Sequence, residues 1–328
     1  MGQILDFTLL FLLLVTAVAT ARVRDLFAAV MLSGIYGLVS ASFFVTMDAV
    51  DVAFTEAAVG AGVFPLLLLA VLAMVGRYEK TAYRRPWAAL ILVTITGAML
   101  VNGTLDMPAF GSADSPAQQH VAQRYIEESP EEIGIPNMVT SVLASYRGYD
   151  TLGEVVVIFT AAIGVLALLP SLGGGVRRKR ESDGMGDHQV LRIVSKILMP
   201  VILLFALYVQ FHGEYGPGGG FQAGVIFAAG IILYTMLFGL DTAQAVIKPS
   251  VLRVLAATGV LLYGGVGLLS FLSGANFLDY SALAEDPVSG QHIGIILIEL
   301  GVGITVAAAI ILIFFAFSEA AGENGEET

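Results

Sequence analysis

Apolar positions in this chain do not alternate with polar ones. They run almost unbroken for about twenty residues at a time and stop at short charged or glycine-rich stretches. A run of about 20 apolar residues is the length an α-helix needs to cross the hydrocarbon core of a bilayer. Nine such runs are read, at about 3–21, 25–47, 52–76, 87–103, 152–172, 193–211, 220–240, 251–273 and 290–317. The fourth is the shortest, and the ninth is long enough to tilt or project beyond the bilayer. The predicted fold is all-α, a polytopic integral membrane protein of about nine transmembrane helices. Composition agrees: 57% of residues are hydrophobic and 13% are charged, against about one-quarter charged in soluble domains.

The basic residues orient the spans. Arg22 and Arg24 follow span one; Arg77, Lys80, Arg84 and Arg85 follow span three. Arg177, Arg178, Lys179, Arg180 and Arg192 follow span five, and Lys248 and Arg253 follow span seven. The alternate loops hold only Arg124 and Arg147. Positive loops face the cytoplasm, which predicts an outside N-terminus and a cytoplasmic C-terminus. The net charge of −11 sits largely in one loop and the acidic tail, and reads as solvated segments. Without a basic leader or small-residue cleavage site, the first run is expected to be a retained span.

Three blocks emerge. Residues 1–80 form a three-span module. Residues 81–175 form a two-span module with an external loop over 104–150, in which a short helix is expected near Gln118–Glu128. A cytoplasmic linker at 176–190 leads to a four-span domain at 191–318 and an acidic tail at 319–328.

The chain has no cysteine, which removes disulfides, thiolate metal sites and cysteine nucleophiles. Its four histidines show no ligand spacing. The glycines at Gly218–Gly220 lack the strand, lysine and spacing of a phosphate loop or dinucleotide fingerprint. The sequence therefore points away from catalysis, resident cofactors and nucleic acid.

Charges inside the bilayer cost about 2.5–3.5 kcal/mol each on insertion scales and need a reason. Asp51, Thr55 and Glu56 open span three; Asp51 is read as a helix cap or part of a path, and Glu56 lies deeper. Asp150 and Glu154 open span five, where Thr151 and Glu154 match a capping box. Gly153 suggests close approach of another helix that buries Glu154. Lys196 sits at the inner end of span six, poised to snorkel or to act in the path. Glu299 lies about ten residues into span nine, with His292 on the same face.

Between spans six and seven the chain reads His212-Gly-Glu-Tyr-Gly216-Pro217-Gly218-Gly219-Gly220-Phe221-Gln222. Four glycines and a proline in six residues cannot continue a helix. Broken backbone at membrane depth is tolerated where protein or a water-filled cavity covers it; a tight structural turn is the plainer reading. Scattered protonatable groups at several depths suit a proton or cation relay better than a clustered active site.

The run from Lys196 to Gly239, with Pro200, His212-Gly-Glu and Gly216-Pro-Gly-Gly-Gly-Phe221-Gln-Ala-Gly224, resembles the MnhB subunit of multisubunit Na+/H+ antiporters of the Mrp (Mnh) type. Asp51-Val-Ala-Phe-Thr-Glu56-Ala with Gly60-Ala-Gly62 resembles a three-span module of membrane-bound hydrogenases and of the C-terminus of the large antiporter subunit. In the antiporter version of that module the carboxylate falls one turn later, where this chain has Gly60. Tyr146-Arg-Gly-Tyr-Asp150-Thr-Leu-Gly-Glu154 resembles the two-span module that follows in both systems.

The resemblance implies a plasma-membrane subunit of an antiporter complex. Its partners are large complex I-like antiporter subunits and small membrane subunits, and its ligands are H+ and Na+, the latter held transiently at Glu56 or Glu154. Glu56, Glu154 and Asp51 are then path residues, with Asp150, Thr55, Glu299, Lys196 and His212 supporting them. A pumping-arm subunit of a redox enzyme and a structural scaffold are the rival readings.

Overall fold

The computed structural model describes residues 2–80, 86–109, 111–169 and 189–324. Arg84, Arg85, most of the 176–190 linker and the end of the acidic tail lie outside the described residues. Among the described residues there are nine helices long and apolar enough to cross a membrane: α1 (Gly2–Arg22), α2 (Leu26–Thr46), α3 (Val50–Val75), α4 (Pro86–Thr104), α5 (Gly148–Leu168), α6 (Gln189–His212), α7 (Gly220–Phe238), α8 (Pro249–Leu272) and α9 (Pro287–Asn324). The chain is a multi-pass, all-helical membrane protein. No strand occurs among the described residues; a single bridge joins Asp25 to Tyr78.

The helices alternate in direction, giving the bundle two unlike ends. One, the loop end, carries the 104–150 segment and the break between α6 and α7. The other, the basic end, carries Arg22, Arg24, Arg77, Arg192 and Lys248. There the Arg77 guanidinium forks onto Asp25 at 2.8 Å, while Asp25 also caps α2 through the Phe27 and Ala28 amides. This fastens the end of α3 to the α1–α2 turn.

The 38-residue α9 is the central post, packed by α8, α7, α5 and the second half of α3. Helices in lipid gain little from burying apolar surface and associate through close packing instead. Here small residues make the seam: a Cβ on Gly220 would collide with the Glu299 carbonyl, and one on Gly224 would lie 2.7 Å from the Gly303 carbonyl. On the other flank Thr305 donates to the Ala256 carbonyl at 3.1 Å. The periphery differs. α1 packs on α2, and α4 makes no substantial packing with another described element.

α3 is not uniform. Its first turns, Val50–Glu56, are α-helical, Ala57–Val63 are π-helical, and the α-helix resumes at Phe64. Ser141–Tyr146, before α5, is also π-helical. Both wide turns border the loop end, and π-turns recur at functional sites. The 104–150 loop forms short helices at Pro116–Gln119, Ala122–Glu127 and Ser129–Glu132. From Ser129 onward it is no solvated loop: Ile133, Ile135, Asn137, Thr140, Ser141 and Ala144 are buried, so the segment folds down into the mouth of the bundle.

Candidate functional site

The glycine-rich break organises the loop end. α6 ends at His212 and α7 begins at Gly220, so the break proper is 213–219; Gly220 and Phe221 belong to the first turn of α7. The Val209 carbonyl accepts from the Gly219 amide at 3.0 Å, and the His212 carbonyl accepts from the Tyr215 and Gly216 amides. Gly219 has φ +114, a conformation open to glycine.

Three other parts of the chain reach into this turn. Asn137 aims its amide Nδ2 at the carbonyls of Gly213 (3.1 Å) and Gly216 (3.0 Å) and at Asp51 Oδ1 (3.2 Å). Its backbone amide donates to the Glu214 carbonyl at 3.0 Å, and the Thr140 hydroxyl donates to the Gly213 carbonyl at 2.6 Å. From α3, the Thr55 hydroxyl accepts from the buried Gln222 Nε2 at 2.7 Å and donates to the Asp51 carbonyl at 3.0 Å. From α9, Glu299 turns its carboxylate to the N-terminus of α7, where it accepts the Gly220 amide. The exposed amides and dipole at a helix start favour a negative group there.

Glu299 also lines a cavity of about 50 Å3 with Thr140, Gln210, Phe211, Gly213, Glu214, Ile295 and Ile296. That is room enough for a water molecule. Glu214, on the same cavity, faces His292 Nδ1 at 3.3 Å from each of its carboxylate oxygens. Glu299, Glu214 and His292 are thus three titratable groups stepping from the bundle interior toward the loop end. Glu299 and Glu214 share one small cavity, and Glu214 in turn meets His292.

A second polar cluster lies above. Tyr146 donates its hydroxyl to Glu132, and Arg124 Nη2 meets the same carboxylate at 2.6 Å. These two hydrogen bonds hold the Glu132 carboxyl below the usual carboxylate range. Burial, then the neighbouring carboxylate, push the Tyr146 phenol up to about 12. The cluster ties the short helices of the 104–150 segment to its folded-in end at Tyr146.

Several sequence expectations change. Asp51 is not a cap: Ala49 holds that position, and Asp51 accepts from Asn137. α5 begins at Gly148, four residues earlier than expected, so Thr151 and Glu154 form no capping box. The Thr151 hydroxyl donates instead to the Leu143 carbonyl at 2.8 Å. Asp150 pairs with Arg147 at 2.5 Å on the surface. Glu154 is exposed, and open space surrounds Gly153; no described helix of this chain covers the pair. Lys196 lies at the basic end, its Nζ 5.6 Å from the centre of the Phe238 ring. With about 24 Å of helical rise between it and His212, it cannot bias groups at the break. His212 stacks on Tyr208 with ring centres 5.0 Å apart and packs beside Gly216.

Glu56 is half-buried, and its carboxylate folds back over the bare Cα of Gly60. It thereby occupies the space a side chain at position 60 would take. The sequence reading missed Asn137, Thr140 and Gln210, which are uncharged residues in or beside apolar stretches. The one available signal was Asn137 just before Met138 and Val139, a cap residue ahead of an apolar stretch and so a helix-start pattern.

Comparison with known proteins adds three matches along the chain. Residues 190–312 match the domain related to the MnhB subunit of Na+/H+ antiporters, residues 11–77 match the MbhD subunit of MBH, and residues 92–184 match the MbhE subunit of MBH. The A/B subunit of a probable K+/H+ antiporter of Rhizobium meliloti (strain 1021) is 27% identical over 318 residues. That alignment takes in 89% of this chain and 32% of the relative, so the chain spans about a third of that protein's length. The putative antiporter protein mnhB2 of Staphylococcus aureus (strain Newman) is 33% identical over 132 residues, 39% of this chain and 93% of the relative.

Among solved structures, a chain of the Mrp complex from Dietzia sp. DQ12-45-1b superposes with TM-score 0.76 at 26% identity, over 95% of this chain and 34% of that one. A chain of the membrane-bound sulfane sulfur reductase, an archaeal respiratory membrane complex, superposes with TM-score 0.53 at 30% identity, over 69% and 96% respectively. With the α6–α9 unit matched along nearly the whole of a 33%-identical relative, the chain belongs to the family of the MnhB subunit of Na+/H+ antiporters.

Proposed function

We propose that this chain is a plasma-membrane subunit of a multisubunit cation/proton antiporter, and that it contributes part of the ion path and much of an intersubunit surface. The observation that carries the reading is Glu299. It is a carboxylate about a dozen residues into a spanning helix, held by the first amide of a broken helix pair and opening on a cavity shared with Glu214. A charge at that depth is costly, and the break supplies what tolerates it. In this reading Glu299, Glu214 and His292 pass protons between the interior and the loop end, which faces outward by the positive-inside rule.

Asp51, Thr55, Asn137 and Gln222 hold the break in shape; residues 213–219 form it, between His212 at the end of α6 and Gly220 and Phe221 at the start of α7. Glu154, on an outer face, and the half-buried Glu56 complete their sites with groups from large and small partner subunits, where Na+ or another monovalent cation is held transiently. The 1–80 and 81–175 modules and the 191–318 domain act as one body, because Asn137, with Asp51 and Thr55, ties them to a single turn. The chain itself catalyses no covalent chemistry.

The test is Glu299→Gln in the assembled complex, with cation-driven proton movement followed by a pH dye in vesicles. The expected result is at least a tenfold loss of exchange with normal assembly and partial retention in Glu299→Asp. Wild-type exchange in an assembled Gln variant refutes the role. The likeness to the sulfane sulfur reductase chain favours a second reading, an ion-pumping arm of a redox enzyme. Purification with its native partners separates the two: metal-cluster subunits in the isolated complex would move the chain to the redox class.

A further inference from the structure

A groove of about 650 Å3 runs along the outside of the α6–α9 unit, separate from the polar site. Its walls are almost wholly apolar: Leu207, Phe227, Leu252, Leu255, Ile304 and Ile311 are representative. One end lies at Lys248, at the basic end of the bundle. The other stops at Gln210 and Phe211, which also wall the small cavity at Glu299. Along α9 the lining runs from Leu300 to Ile311, about 16 Å of helical rise. Half of a hydrocarbon core of about 30 Å is about 15 Å. The groove therefore has the depth of one leaflet, which is the reach of a single acyl chain.

The rim supplies the second half of a recognition pattern. Lys248 is exposed at the residue preceding α8, and no carboxylate pairs with it among the described residues. Arg192 and Lys196 lie at the same end, over the Phe238 ring at 5.3 and 5.6 Å. Arg253 follows in the first turns of α8, and Asp241 is the nearby exposed acid. Of these, Lys248 alone lines the groove, and an unpaired lysine at the mouth of a leaflet-deep apolar slot suits a negatively charged lipid headgroup with its chain below.

The geometry points to a binding site for one anionic phospholipid, its phosphate at Lys248 and one acyl chain filling the groove as far as Phe211. The chain end then closes the lipid-facing side of the partition formed by Gln210 and Phe211, behind which Glu299 sits. Binding of this lipid does not depend on Glu299 carrying ions.

The test uses the full chain with its native partner subunits in membranes. A phosphatidylglycerol bearing a photoactivatable group near the end of one acyl chain is irradiated, and adducts are located by peptide mass spectrometry. Adducts are expected on residues at the far end of the groove, such as Leu207, Phe211 and Leu300. Excess plain phosphatidylglycerol should suppress them about fivefold more effectively than the same excess of phosphatidylcholine, the ratio expected for one lysine near the headgroup. Lys248→Gln should remove that difference; if the variant fails to assemble, the competition in the wild type decides alone. Equal suppression by both lipids overturns the proposal in favour of unselective solvation. An unlabelled groove, or one cross-linked to a partner helix, overturns it as well.

Discussion

α4 and α9 are both unbroken apolar helices, yet they stand in opposite relations to the rest of the chain. No described residue of α4 is buried, whereas most of α9 is. α9 is the more apolar of the two, with mean hydropathy 2.7 against 1.6 over the most apolar stretch of each, but apolarity alone gives a helix in lipid little reason to be buried. What separates them is the small residues and the polar punctuation. α9 carries Gly301, Gly303 and Thr305 against glycines of α7 and α8, while Gly97 and Gly103 of α4 meet open space. In lipid, apolar surface marks a helix for the membrane, and it is close approach that marks it for a neighbour. The α7–α9 core is therefore a finished interior, whereas α1, α4 and the Glu154 face of α5 are left largely uncovered by the described residues of this chain.

The sharpest way to break this contrast is to add the same side chain to both regions. Gly220→Val forces a Cβ into the Glu299 carbonyl and should cut the amount of assembled complex more than tenfold on a native gel, overpacking of this kind costing about 1–3 kcal/mol or more. Gly97→Val should leave it unchanged within twofold. Next comes chemistry. Glu154→Gln should lower exchange by at least tenfold with assembly intact, matching Glu299→Gln although the two acids lie in unlike settings. Normal exchange in the Glu154 variant would make that face purely structural.

Smaller again is Asn137→Ala. It deprives the Gly213 and Gly216 carbonyls of a donor and should destabilise the chain by about 1–3 kcal/mol, read as a Tm several degrees lower in the purified complex.

The smallest effect is local and depends on pH. The folded-state pKa of Glu132 lies below its ordinary value, so its contribution is complete at neutral pH and is lost as pH falls below about 4. Tyr146 is shifted the other way. Its neutral phenol contributes fully below about pH 10, and that contribution goes as pH rises through about 12. Protease cleavage within 116–147 should increase at both extremes, and Tyr146→Phe should remove the alkaline limb and also shrink the acid one, because the Tyr146 hydroxyl is the largest cause of the lowered Glu132 pKa, ahead of Arg124.

Much of this was legible in the residues, and for identifiable reasons. Span number and position follow from length and apolarity, which are properties of each run alone. The break at 212–222 announces itself because glycine and proline act locally. Glu299 was conspicuous because a carboxylate in an apolar helix always is. The helix start at Gly148 was hidden: Gly148, Tyr149 and Asp150 look like loop, and the π-turn before them, with Thr151 tied back to Leu143, is what sets the boundary. The exposure of Glu154 was hidden too, because Gly153 permits a close neighbour but does not supply one. Asn137 shows in the sequence as a helix start alone; its part in the site follows only from knowing that residues 51, 137 and 213–216 meet, and no single stretch of sequence encodes that.

The Asn137 clasp also has a consequence in time. Its acceptors lie on segments that leave the ribosome far apart: Asp51 emerges first, Asn137 next, and Gly213 and Gly216 last. At ordinary synthesis rates of about 5–20 residues per second, Asp51 waits on the order of ten seconds before the turn that completes its surroundings exists. Until then the first five helices sit in the bilayer with their latch open. Insertion of α6 and α7 is thus the event that locks the N-terminal modules, and a chain halted before Gly216 would leave that half of the protein unsecured.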